Sequence, residues 1–318
     1  MTNEELKLPS YGGQAIIEGV LMRGSHTLAA AMRDPEGNIV VETESLDGIY
    51  TSPLKNIPFL RGLILLWDAL GLGMRFLTLS ANLQTGEDEK IEGPTLYLTL
   101  AGSLAIAIGL FFIFPAALSQ WIEQLYGWSA WRSNILEGGI RLGLMIGYIW
   151  AIGLMPDIQR VFAYHGAEHK TINAYEANAE LTPYFVSSYS REHPRCGTAF
   201  LLTLMILSII IFTLMGPLPM FWRIATRVLF IPILAGIAYE YLRWTANHLH
   251  LPWVKLLTRP NMALQRLTTR EPDLEMLEVS LAAFNAMLAE ENRVKTTVVN
   301  HQQSTRQSAV IKADCRNQ

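Results

Sequence analysis

Residues 199–215 read AFLLTLMILSIIIFTLM and carry no charged side chain. As helix, such a run is about 26 Å long at 1.5 Å per residue, near the roughly 30 Å of a bilayer's hydrocarbon core. In lipid a helix satisfies its own backbone polar groups, so a run this apolar needs no further partner. Three more runs flank it. Two lie upstream, at 96–118 and 136–155, the second containing RLGLMIGYIWAIGLM and stopping at Pro156. The last, at 224–242, has Arg227 near one end and Glu240 near the other. These runs predict a mainly α, polytopic membrane protein with about four transmembrane helices over 94–243.

Outside the spans the pattern changes. Residues 1–58 are expected to form a small β-rich element. In it, AAMRDPEGNIVVETE at 30–44 reads as a β-hairpin, Pro35 presetting φ and Gly37 taking the left-handed turn position. Residues 59–83 place Arg61, Asp68 and Arg75 seven apart, near one helical stripe, which suits an interfacial or under-packed helix better than a crossing one. The acidic stretch TGEDEKIEG at 85–93 marks a boundary. Residues 244–291 form a C-terminal region whose Leu274, Leu277, Leu281, Phe284 and Leu288 follow an amphipathic helical seam, a surface on which a protein partner could dock. Residues 292–318 read as a disordered tail.

Lys and Arg gather on one side of these spans. Arg160, Lys170, Arg191 and Arg195 lie between the second and third, and Arg243, Lys255, Arg259 and Arg266 follow the fourth; the opposite side has Arg132 and Arg223. Both termini and the 157–197 segment are therefore expected in the cytoplasm, against membrane lipid. A net charge of −3, without a basic block, excludes nucleic acid as a partner. The two cysteines, Cys196 and Cys315, give no disulfide framework and fit a reducing compartment. The opening residues MTNEELKLPSYGGQ lack a signal-peptide pattern, so insertion is expected to be directed by the internal spans.

The 157–197 segment contains YHGAEHKTINAYE (164–176) and HPRCGTAF (193–200). On a helix, His165 and His169 stand one turn apart with Cβ atoms about 6 Å from each other, and both can reach one divalent ion at the roughly 2.0 to 2.1 Å of a zinc–imidazole bond. Glu168 sits beside them as a general base. His-x-x-Glu-His is the inverted zincin order, in which the carboxylate takes a proton from water. A third ligand must come from elsewhere. Glu240 is the first choice, because a carboxylate on a spanning helix is costly unless used; Cys196, His193 and Glu18 are alternatives. Glu176, about 10 Å beyond His169 along the axis, suits a place behind the ligands, as does Arg195. Each has a bland reading too. The His pair can be solvated, Glu240 can pair with Arg243, Arg195 can anchor a span, Cys196 can be a packed small residue, and Trp121, Trp128 and Trp131 can form an interfacial belt.

The stretches GGQAIIEGVLMRG (12–24), YHGAEHKTINAYE, HPRCGTAF, AGIAYE (235–240) and LTTREPD (267–273) together resemble the bacterial YqhQ family, from about Gly12 to Ala289. The resemblance implies a multi-pass protein of the bacterial cytoplasmic (inner) membrane and a metal-dependent activity. The expectation is thus a zinc-type hydrolase with a cytoplasm-facing site, acting on a lipid-linked or membrane-protein substrate. A scaffold or assembly factor, with the His/Glu cluster as a structural polar network, is the alternative. A transporter is the least supported, since the first and third runs offer no charge to line a path.

Overall fold

The computed structural model describes residues 11–46, 57–85, 93–216 and 218–314. Most of the acidic linker, 86–92, lies outside them. Where one hairpin was expected the described residues form three, in a four-stranded antiparallel meander: β1 (Gly12–Ile16), β2 (Gly19–Arg23), β3 (Thr27–Arg33) and β4 (Ile39–Ser45). The predicted turn at Pro35 and Gly37 joins β3 to β4. There the Asn38 N–H donates to the Asp34 carboxylate at 2.7 Å, and Gly37 takes φ +91°. The first hairpin turns at Ile17 and Glu18, with Glu18 at φ +49°, and the second turns between Gly24 and Thr27. Both sheet faces are covered, so β2 and β3 are almost continuously apolar and lack the alternation that announces a half-buried strand.

Eleven helices follow among the described residues: α1 (Leu60–Thr85), α2 (Gly93–Ile108), α3 (Phe114–Tyr126), α4 (Ala130–Ile152), α5 (Pro156–Glu176), α6 (Pro183–Val186), α7 (Gly197–Leu214), α8 (Met220–Leu229), α9 (Ile231–Asn247), α10 (Pro252–Thr268) and α11 (Leu274–Asp314). A π-helical turn, Gly109–Ile113, joins α2 to α3. Val20, Met22, Ala29 and Ala31 face α5 and α11, where Ala163, Ala167, Leu277 and Phe284 close the core. Ile16, Leu21, Leu28 and Met32 face Phe76 of α1. The seam of α11 thus lies on the chain's own sheet, with Leu277, Leu281 and Phe284 buried and Leu274 exposed. This helix runs on to Asp314, past the Glu291 boundary at which a disordered tail was expected.

Among the described residues three helices are long and apolar enough to cross a membrane: the continuous 96–126 unit, α4 and α7. The α8–α9 pair makes a fourth if its 44° bend is one broken span. The Ser80 hydroxyl of α1 accepts from the Ile17 N–H at 3.1 Å, while the start of the helix packs on α9, where Gly62 abuts Tyr239. Arg223, counted above on the side opposite the Lys/Arg-rich segments, is buried. With Arg141 and Arg227 it converges on Glu137, at 2.9, 2.8 and 2.9 Å, and all four side chains are almost wholly shielded.

Candidate metal centre

Pro156 at the start of α5 and Asp157 in its first turn favour a helix N-terminus there, and the helix carries His165, Glu168 and His169 on one side. His165 Nδ1 lies 2.9 Å from the carbonyl oxygen of Thr268, at the end of α10; His169 Nδ1 lies 2.7 Å from that of Arg191. A carbonyl only accepts, so both rings carry their proton on Nδ1 and turn an Nε2 lone pair away from it. His165 Nε2 points at Cys196 Sγ, 3.2 Å away. His169 Nε2 is buried and meets no hydrogen-bond partner among the described residues. An imidazole lone pair buried without a donor is a cost that a bound cation removes.

Cys196 caps the N-terminus of α7, where the Thr198 N–H donates to its sulfur at 3.4 Å. One ring nitrogen of each histidine and this Sγ lie within 4.8 Å of one another. Around one zinc ion the same atoms would stand about 3.3 to 3.6 Å apart. A small inward adjustment makes the three a ligand set. Two imidazoles and one sulfur, with a fourth position left open, is the donor chemistry of a catalytic zinc site rather than of a closed structural one. The residues present therefore fit the metal.

Glu168 is buried beside them, one oxygen 3.9 Å from His165 Nε2. Burial pushes its carboxyl above the ordinary range, against the pull of His165 and His193 and a hydrogen bond from the Gly13 backbone. Gly13 is there because nothing larger fits: a Cβ would stand 2.6 Å from the Leu21 carbonyl oxygen and 2.9 Å from Glu168 Cγ. A cavity of about 90 Å³ opens beside the group, lined in part by His165, Glu168, His193, Arg195 and Cys196.

The remaining candidates separate. His193 and Arg195 belong to the cavity, and both approach Glu176, His193 through Nε2 at 3.5 Å. Burial lowers the proton affinity of the His193 ring, with Glu168 opposing. Glu18 is elsewhere, held by Arg160 at 2.5 Å and by the Tyr164 hydroxyl at 3.3 Å. Glu240, the first choice for third ligand, lies outside the group. Its carboxylate accepts from both Arg61 and the Phe59 backbone N–H, the latter at 3.1 Å, so its charge is used in a helix clamp. Sequence reasoning missed the two carbonyls that set the tautomers, and Gln265, which brackets the His193 backbone with two 2.8 Å hydrogen bonds. A backbone carbonyl has no signature in a sequence; the Gly12–Gly13 pair was the one available hint of a close approach.

Residues 57–290 match a family described as "Protein of unknown function (DUF1385)". The chain is 36% identical over 295 residues to the uncharacterized protein YqhQ of Bacillus subtilis (strain 168), an alignment covering 88% of this chain and 92% of that one. No solved structure matches.

Proposed function

The chain belongs to the YqhQ family, and within it we propose a membrane-resident, metal-dependent hydrolase whose ligands are His165, His169 and Cys196. One observation carries this reading: two imidazoles, each fixed in the Nδ1–H tautomer by a backbone carbonyl, are grouped with one cysteine sulfur so that one donor atom from each lies within 4.8 Å of the others. Bound there, a zinc-type ion supplies Lewis acidity and makes water a better acid. Glu168 accepts the water proton; its burial raises its proton affinity above a solvated carboxylate's, which makes it a stronger general base. Cys196 caps an apolar helix of spanning length, so the site lies at one end of the bundle. With the Lys/Arg bias, this supports a cytoplasm-facing site at the bacterial inner membrane and a lipid-linked or membrane-protein substrate.

A scaffold with a structural His/Glu network is the competing reading. The unpartnered His169 Nε2 speaks against it, because a structural network would satisfy that atom. The test is metal analysis of detergent-purified protein after reconstitution with zinc or cobalt. About one ion per chain is expected, with a sulfur-to-cobalt charge-transfer band that disappears in Cys196→Ser. The His165→Ala/His169→Ala variant should hold no ion. Equal, negligible metal in wild type and variant sinks the hydrolase.

A further inference from the structure

The cavity beside the ligand group has a second wall that a metal does not require. His193 and Arg195 line it, beside Gly197 at the start of α7. His193 is 3% exposed, and the Arg195 backbone N–H donates to its Nδ1 at 3.4 Å, so the ring proton sits on Nε2. That N–H and the Arg195 guanidinium are both directed at one carboxylate, Glu176. The Arg195 and Glu176 side chains are 33% and 29% exposed, so water reaches this pair and an incoming anion can compete for it. Opposite, at Gly12, a Cβ would meet nothing within 4 Å, which leaves that side of the cavity open.

We propose that this wall is an oxyanion subsite and that the cavity receives the phosphate group of a phosphate-ester substrate. Arg195 offers a fork of donors, His193 Nε2–H a donor from another direction, and the positive end of α7 a third. Donors arriving from three sides suit a tetrahedral oxyanion better than a planar carboxylate. About 90 Å³ admits one such group and leaves the rest of the substrate outside. Hydrolysis then forms a P–O bond to the water oxygen and breaks the P–O bond to the leaving group. Glu168 takes one water proton and returns it to the leaving oxygen. The choice of reaction rests on the metal-centre reading; the anion subsite stands on His193, Arg195 and Glu176 alone.

The experiment is a calorimetric titration of inorganic phosphate into the full-length, detergent-purified protein, both metal-free and zinc-loaded. Binding is expected in both forms. Arg195→Gln should weaken it about 10- to 100-fold, the loss of a charge-assisted contact, with zinc stoichiometry unchanged. His193→Gln should weaken it as well, Arg195→Lys should recover part of the loss, and Glu176→Gln should tighten binding by removing the competing carboxylate. Sulfate should compete and acetate should not. Unchanged phosphate affinity in Arg195→Gln, or acetate binding as well as phosphate, overturns the proposal. If no preparation binds zinc, the hydrolase reading falls, while the metal-free titration still decides the subsite. Short-chain phosphatidic acid binding more tightly than glycerol phosphate identifies a lipid headgroup, the reverse a soluble ester; either outcome keeps the subsite.

Discussion

Gly13 and Glu18 show how single residues of the first hairpin fit it against α5, Gly13 at Glu168 and Glu18 at Arg160. In Gly13→Ala the new methyl overlaps the Leu21 carbonyl and the Glu168 side chain, at 2.6 and 2.9 Å. A loss of about 1 to 3 kcal/mol is expected from such overpacking, read as a lower melting temperature, with weaker metal retention as Glu168 is displaced toward the ligands. Glu18 is held below the usual carboxylate range chiefly by its hydrogen bond from Arg160. A depressed folded value means that its contribution is present above the ordinary value of 4.5 and is lost as pH falls through the folded one. Because Arg160 is half exposed, Glu18→Gln should cost only about 0.5 to 1 kcal/mol at pH 7. The stability gap between the two proteins should close as pH falls below the ordinary carboxylate range; a gap that stays constant there would show that the ion pair is not responsible.

At the scale of elements, two charge groups in the helical region, one half-buried and one buried, hold helices together, and their substitution should separate stability from metal binding. Glu240 joins α9 to the start of α1 through Arg61. Glu240→Gln should lower the melting temperature in detergent yet leave metal content at the wild-type value; loss of the ion would restore Glu240 as a ligand. Glu137 gathers guanidiniums from α4 and α8. Glu137→Ala leaves three buried cations without their shared carboxylate, a penalty of about 3 to 5 kcal/mol or more. The expected result is little folded protein after purification. Arg141 also donates to the Phe111 carbonyl oxygen in the π-helical turn at 2.9 Å, so the same substitution should loosen the 96–126 unit.

For the whole molecule, the proposed placement is a cytoplasmic sheet-and-helix layer seated on a bundle of about four spans, the metal centre at their junction. Glu180 follows α5 on that layer. In a Cys315→Ser background, with Cys196 buried, Glu180→Cys should react with a membrane-impermeant thiol reagent only after the cytoplasmic side is opened. Labelling in intact cells would reverse the orientation. The same experiment places the phosphate subsite, because Arg195 and Glu176 stand on that face with it.

Much of this layout is legible in the chain. Uncharged runs of spanning length identify themselves, since an apolar helix has few places to be; His-x-x-Glu-His declares its spacing because a helix repeats every 3.6 residues. The turn at Pro35 and Gly37 is readable for the same local reason. The other two hairpins were hidden because a sheet covered on both faces shows no alternation. Tertiary structure alone decided which candidate joins the histidine pair. Glu240 and Cys196 lie 75 and 31 residues from His165 in the sequence, and a long-range contact leaves no local trace in either. Partner choice is set by the fold: Arg61 holds Glu240, whereas the N-cap of α7 brings a sulfur to a pair of imidazoles oriented by carbonyls from other segments.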